Sequence, residues 1–173
     1  MPIIIDKNLS LVPLAVKDAD EIHSLITQHK SWLAQQLYWV NGIHCFEDTK
    51  TYLSERVFSK LPKNHWFSIR HNGVIVGVFA LKSVNKQGVA ELGYWLAESA
   101  IGQRIINRVI DGLKITLFKQ LAVSELLFHC AQNNIASQKV AIQAGATTQS
   151  LTDKVMELNG NKLQLFSFRG KLS

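Results

Sequence analysis

A carboxylate, a thiol and the start of a helix follow one another in this chain in an order that proton transfer and anion binding can use. Residues 90–98, Ala-Glu-Leu-Gly-Tyr-Trp-Leu-Ala-Glu, read as an apolar strand feeding directly into a helix-like run over residues 102–121. A helix N-terminus leaves backbone N–H groups without partners and carries a partial positive charge, so backbone alone can hold a phosphate there. Glu91 lies near the start of that strand. A carboxylate partly buried among apolar groups has a raised pKa and becomes a proton acceptor near neutrality. A strand-edge glutamate paired with a cation reads the same way in sequence. Cys130 closes the next strand, before Asn134. A thiol of pKa about 8.5 can donate a proton to a departing anion, but free cysteines are also among the most buried residues, so a core role fits equally well. Asn134 is a preferred helix N-cap.

These groups need elements to position them. Residues 9–16 alternate as a strand, and residues 17–21, Lys-Asp-Ala-Asp-Glu, offer caps and acids for a helix to about residue 30. Residues 31–40 are rich in aromatics, and a second helix opens near Cys45 and runs to about Leu61, closed by Pro62 and Asn64. Residues 65–70 and 74–81 form a hairpin around Asn72-Gly73, followed by a strand over residues 89–96. The helix over residues 102–121 carries a wide apolar stripe at Ile105, Ile106, Val109, Ile110, Leu113, Leu117 and Phe118. A strand at 125–130 and a helix at 135–143 complete a βαβα unit with parallel strands and a right-handed crossover. Residues 154–158 and 162–169 form a last hairpin around Asn159-Gly160.

The strand-to-helix junction, the later segment from Cys130 through Asn134, Ser137 and Gly145, and residues 157–160, Glu-Leu-Asn-Gly, together resemble the GNAT acyl-CoA N-acetyltransferases. Within them the chain is most similar to the RimJ/RimL-like branch, associated with acetylating protein N-termini and a range of small amines. The resemblance runs from the first strand near Leu9 to the last near Phe168. It implies an α/β (α+β) fold, a mixed central sheet of about six or seven strands flanked by about four helices. It also implies acetyl-CoA as donor and direct transfer to an amine in a ternary complex.

By that resemblance the strand before the loop splays from its neighbour, and backbone N–H groups at Tyr94, Trp95 and Leu96 hold the thioester and pantetheine. The family's pyrophosphate loop, Q/R-x-x-G-x-G/A, falls on residues 101–106, Ile-Gly-Gln-Arg-Ile-Ile, so Gly102, Gln103, Arg104 and Ile105 are the expected phosphate contacts. The loop is degenerate: Arg104 stands where glycine lets the backbone approach the phosphates, and Ile106 where a small residue is expected. Arg104 either clamps the phosphates by charge or obstructs them. Asn134 and Ser137 match an N-x-x-S pattern, the asparagine bonding cofactor or strand backbone and the serine approaching the pantetheine or phosphate end. The resemblance makes Glu91 the base, directly or through water, and places Cys130 near the departing thiolate. The tyrosine acid of many relatives falls on Ala141. Trp32, Leu33, Tyr38 and Trp39 line an acceptor groove by the same resemblance, with core packing of the early helices the plainer account.

The 173 residues suit a single domain over residues 1–173, and 47% hydrophobic content supports a substantial core. No run approaches the ~18 apolar residues of a membrane span, and residues 1–6 lack a signal peptide's basic start and apolar core, which points to the cytoplasm. Cys45 and Cys130, far apart, form no metal motif or disulfide framework, and the six histidines show no H-x-x-x-H pair, so no metal is expected. The net charge of +6 favours phosphate-rich ligands. Its dispersal argues against a nucleic-acid surface. The reading is an acetyl-CoA-dependent N-acetyltransferase acting on a primary amine, a protein N-terminus or a small molecule, with a homodimer left open. The alternative is a catalytically impaired GNAT-fold binding or regulatory module.

Overall fold

The computed structural model describes residues 1–59 and 65–172. In chain order the elements are strands β1 (Ile3–Asp6) and β2 (Leu9–Pro13), helices α1 (Ala19–Gln28), α2 (Lys30–Leu33) and α3 (Phe46–Val57), and strands β3 (His65–His71), β4 (Val74–Val84) and β5 (Val89–Leu96). Then follow α4 (Ile105–Lys114), α5 (Leu117–Gln120), β6 (Glu125–Ala131), α6 (Ile135–Gln143), β7 (Thr148–Leu158) and β8 (Asn161–Lys171). One eight-stranded sheet runs in the order β1-β2-β3-β4-β5-β6-β8-β7. Every neighbouring pair is antiparallel except β5 and β6, which are parallel. The mixed sheet and the four longer helices match the expected α+β architecture, and β1 adds a strand that the alternation of residues 9–16 does not announce.

Carboxylates at the helix starts reach back to the chain entering them. Asp18 Oδ2 accepts the Ala15 N–H at 3.0 Å ahead of α1, and Asp48 Oδ2 accepts those of His44 and Cys45 at 2.8 and 2.9 Å ahead of α3. Such bonds satisfy donors that have no partner within the helix. The tight reverse turns expected from sequence are present, with φ of 52° and 84° at Asn72 and Gly73 and 52° and 77° at Asn159 and Gly160.

Helices cover both faces of the sheet. On one, Ile105, Val109, Ile110 and Leu113 of α4 pack with Leu11, Ile69, Phe79, Leu81 and Phe128, all buried. On the other, Ile22 and Ile26 of α1 and Tyr52 and Leu53 of α3 pack with Ile75, Val78 and Trp95. Each fully buried aliphatic side chain contributes roughly 1.5–3 kcal/mol. The period-2 strands and the α4 stripe supply these faces directly.

Three expected boundaries change. The helix expected over residues 102–121 begins only at Ile105, because Gly102 and Arg104 hold φ of 80° and 54°, outside helical space. It also breaks before Thr116, whose backbone sits at φ −121° and ψ −101° while its hydroxyl donates to the Gly112 carbonyl at 2.8 Å. Helix α3 ends at Val57, and Pro62 and Asn64, expected to close it, lie outside the described residues.

Candidate active site

The parallel pairing of β5 and β6 is short. It runs from Val89 opposite Glu125 to Leu92 opposite Phe128 and stops. Beyond that point β5 stays paired with β4, through Tyr94 opposite Phe79, Trp95 opposite Val78 and Leu96 opposite Gly77, while β6 stays paired with β8 through Cys130 opposite Phe166. The two strands diverge between their outer partners, so the backbone of Tyr94, Trp95 and Leu96 has a strand on one side only. A cleft of about 720 Å³ opens in the wedge, lined by Gly93, Tyr94 and Trp95 from β5 and by Phe128, His129, Cys130 and Ala131 from β6.

Strand alternation sorts the side chains around this opening. Tyr94 and Cys130 share the face covered by α4 and α6, and Ser137 in the first turn of α6 lies between them. Its Oγ is 3.0 Å from Tyr94 Oη and 3.3 Å from Cys130 Sγ. Burial pushes the Tyr94 phenol well above its ordinary value, with the Ser137 hydrogen bond opposing it and the Cys130 charge adding to it. Burial likewise raises the Cys130 thiol against the Ser137 hydrogen bond. Both therefore stay protonated at neutral pH. Asn134 caps α6, its Oδ1 accepting the Ser137 N–H at 3.0 Å, while its Nδ2 donates to Gln36 Oε1 at 3.2 Å. Ala141, at the register of the absent tyrosine, is fully buried, and a tyrosine hydroxyl reaches the cluster from β5 instead.

The degenerate loop keeps a usable shape. Arg104 takes the left-handed conformation that glycine adopts freely, at a cost of roughly 1–2 kcal/mol for a residue with a side chain. Ile106 is 3% exposed and turned into the core, so it does not fill the loop where a small residue was expected. Ile105 is equally buried and offers the loop its backbone only. The first intrahelical bond of α4 is Arg108 N–H to the Arg104 carbonyl at 3.0 Å, which leaves the N–H groups of the first turn without helical acceptors. No acidic residue occurs over residues 101–108. Gly102 has open space around its Cα, Gln103 binds back to the Ser99 carbonyl at 3.1 Å, and Arg104 is exposed. These residues fit the phosphates of coenzyme A.

Glu91 falls elsewhere. The register that sets Glu91 opposite Leu127 and Leu92 opposite Phe128 puts Glu91 on the Leu127–His129 face, opposite Cys130. The resemblance makes Glu91 the base and places Cys130 near the departing thiolate, but this alternation puts the two side chains on opposite faces of the sheet. Glu91 does not line the cleft, and its Oε1 accepts from Lys82 Nζ at 3.3 Å, the cation-paired arrangement that its sequence position also allowed. His129 shares its face: Nε2 lies 3.1 Å from Lys154 Nζ and buried Nδ1 has no partner among the described residues. Burial first, then Lys154 and Lys82, lower the His129 pKa against the pull of Glu91, so the imidazole is neutral at neutral pH.

Across the sheet from the Tyr94 cluster the cleft is aromatic. Trp39 stacks on Tyr52 with ring centroids 4.3 Å apart, Trp95 Nε1 donates to Tyr52 Oη at 3.0 Å, and Trp66 and Arg56 complete the wall. Of the four residues expected in an acceptor groove, Tyr38 and Trp39 line the cleft, Leu33 is buried core and Trp32 packs against that core. Val155, Met156 and Glu157 of β7 form the opposite lip. Arg56, Trp66 and His129 escape motif reading, and Glu157 is read only as part of the segment over residues 157–160, with no role of its own. Only Arg56 leaves a sequence signal, its i+4 spacing from Tyr52 on one helix face.

Known proteins agree with this geometry. Residues 8–147 match the acetyltransferase (GNAT) domain family. The chain is 27% identical over 164 residues to the ribosomal-protein-serine acetyltransferase of Escherichia coli (strain K12), covering 90% of this chain and 88% of that protein. Its fold matches RimL, ribosomal L7/L12 α-N-protein acetyltransferase, in a complex with coenzyme A in which a cysteine is disulfide-bonded to CoA, at TM-score 0.90 and 21% identity over 99% of this chain and 98% of that one. It also matches the microcin C7 self-immunity acetyltransferase MccE bound to acetyl-CoA and AMP, at TM-score 0.88 and 20% identity over 97% and 94%. A strand pair splayed beside a helix start, on a chain matched over residues 8–147, makes this protein a member of the GNAT acetyltransferase family, an acetyl-CoA-dependent N-acetyltransferase.

Proposed function

We propose that the chain acetylates the N-terminal amine of a protein in the cytoplasm. The observation that carries the reading is the splay of β5 from β6 between a protonated hydroxyl–thiol cluster on one face and an aromatic cleft on the other. Acetyl-CoA supplies an activated thioester: the acceptor nitrogen bonds to its carbonyl carbon, the C–S bond breaks, and the sulfur takes up a proton.

This chain's residues orient the partners and hold the protons. The α4 first turn, Gly102, Gln103 and Arg104 hold the phosphates, and the one-sided backbone of Tyr94, Trp95 and Leu96 holds the pantetheine and thioester. Ser137 hands its proton to the departing sulfur, with Tyr94 and Cys130 behind it to replace that proton. Glu157, the carboxylate that lines the cleft, takes the proton released by the amine in place of Glu91. Glu91 positions Lys82 at the cleft wall. The chain's similarity to a ribosomal-protein-serine acetyltransferase supports a polypeptide acceptor with N-terminal serine.

The test is mass spectrometry of serine-led peptides incubated with acetyl-CoA and the protein. One acetyl group, added at the N-terminus and absent when that terminus is blocked, is the expected result. Acetylation of free amino acids or polyamines with no peptide modified would remove the polypeptide reading.

A further inference from the structure

Arg56 lies in the wall of the aromatic cleft, between rings from three elements. Its Cζ is 3.6 Å from the Tyr52 ring centroid, 5.1 Å from that of Trp66 and 5.9 Å from that of Trp39. The side chain is 19% exposed and Nη1 donates to the Tyr52 carbonyl at 2.8 Å. Nε is buried and has no hydrogen-bond partner among the described residues. The carboxylate beside it, Glu55 Oε2 at 3.6 Å from Nη1, belongs to a side chain 69% exposed, so water screens that pair heavily. A guanidinium is thus held largely out of water with its charge weakly neutralised. Burying charge is costly, and a methionine or leucine would fill the space between three rings without that cost. Aromatic stacking offsets part of it and fixes the plane of the group. An incoming oxyanion would complete the rest.

Resting on the proposed acceptor side of the cleft, we infer that Arg56 is the anion-recognising group of the acceptor subsite, so that the preferred acceptor carries a carboxylate or phosphate close to its reactive amine. Trp39, Tyr52 and Trp66 hold the guanidinium for that contact, and the amine lies toward Glu157 and the splay. An acceptor with both groups then spans the cleft from one wall to the other. Arg56 acts on binding and not on the reacting atoms.

Two measurements on the full chain saturated with CoA or acetyl-CoA test this. In the first, the Nε–Hε NMR signal of Arg56, assigned by its loss in Arg56→Lys, is followed during titration with inorganic phosphate, glutarate and glutaramide. It shifts with phosphate and glutarate and not with the uncharged glutaramide. No shift with any anion, or a shift caused by CoA alone, overturns the inference. In the second, kcat/KM is compared within pairs that differ by one charge: a Ser-Asp-led against a Ser-Asn-led peptide, and isoglutamine, which keeps only its side-chain carboxylate, against glutaminamide, which has none. The anionic member is at least tenfold better in wild type, through KM, and the advantage disappears in Arg56→Met while Arg56→Lys keeps part of it. Equal values within both pairs overturn the inference. Selective use of isoglutamine with neither peptide modified leaves Arg56 in its role and removes the polypeptide reading. If Arg56→Met fails to fold, the NMR titration and Arg56→Lys decide.

Discussion

The two faces of the sheet at the β5–β6 splay are built from opposite kinds of interaction. On the α4–α6 face, Tyr94, Ser137 and Cys130 form a neutral, protonated chain of hydrogen bonds 3.0 and 3.3 Å long, and the loop before α4 presents backbone donors of the first helical turn. On the α1–α3 face, stacked rings and a confined cation shape the cleft. Neutral donors held by burial are available when negative charge develops on a leaving sulfur, and need no reorganisation at that moment. A wall of rings and one cation instead selects what enters. On the proposed reading, protonation of the leaving sulfur belongs to one face, and acceptor binding with Glu157 as its base to the other, and substitutions on each should separate accordingly.

The largest effect should come from Ser137→Ala, which removes the atom shared by both hydrogen bonds of the cluster. Turnover should fall by roughly 10²-fold with the KM for acetyl-CoA nearly unchanged, measured by thiol release. A change confined to KM would move Ser137 from turnover to binding and break the division. Gly77→Ala comes next. A Cβ there would collide with the Trp95 carbonyl and Leu96 where β4 supports the splayed end of β5. It should cost about 2 kcal/mol and lower Tm by roughly 4–8 °C in a thermal melt. Arg104→Ala should weaken CoA about tenfold while leaving a phosphate-free pantetheine analogue unaffected, by calorimetric titration. Tighter binding by Arg104→Gly would show that the arginine obstructs the loop.

The raised pKa of Cys130 gives a pH-dependent test. The folded state favours the protonated thiol, so its contribution to stability is complete below the ordinary thiol value of 9.0 and is lost as pH rises through the raised folded value. Denaturant midpoints should therefore show no loss from this group between pH 6 and 8 and a decline above pH 9. At pH 8 iodoacetamide should modify exposed Cys45 and spare Cys130 in the folded chain. The smallest effect is expected from Glu91→Gln, which breaks a half-exposed pair with Lys82 and should change kcat/KM by no more than about fivefold. Loss of the acidic limb of the pH–rate profile in that variant would return the base to Glu91 and remove that role from Glu157.

Much of the α4–α6 face was legible in sequence because its signals are local. The Asn134 cap, Ser137 in its first turn and the apolar stripe of α4 each depend on spacing within one element. Even the degenerate loop could be located, although the left-handed φ of Arg104 and the inward turn of Ile106 could not be read from residue type. The α1–α3 face was legible only in part, through Tyr38 and Trp39. Glu157 and Arg56 reach the same cleft from the last hairpin and from α3, about a hundred residues apart in sequence, and no local pattern links them.

The sequence by itself determined the period of each element, the tight Asn-Gly turns and the order of strand, phosphate loop and helix, since these follow from backbone preferences over a few residues. Tertiary structure decided which face each side chain joins. Pairing Glu91 with Leu127 sends Glu91 to Lys82 and Cys130 to Ser137, and a register one residue different would put both side chains on one face. The sequence states which residues alternate along β5 and β6, and only the packing of both strands between β4 and β8 fixes which of them face each other across the opening.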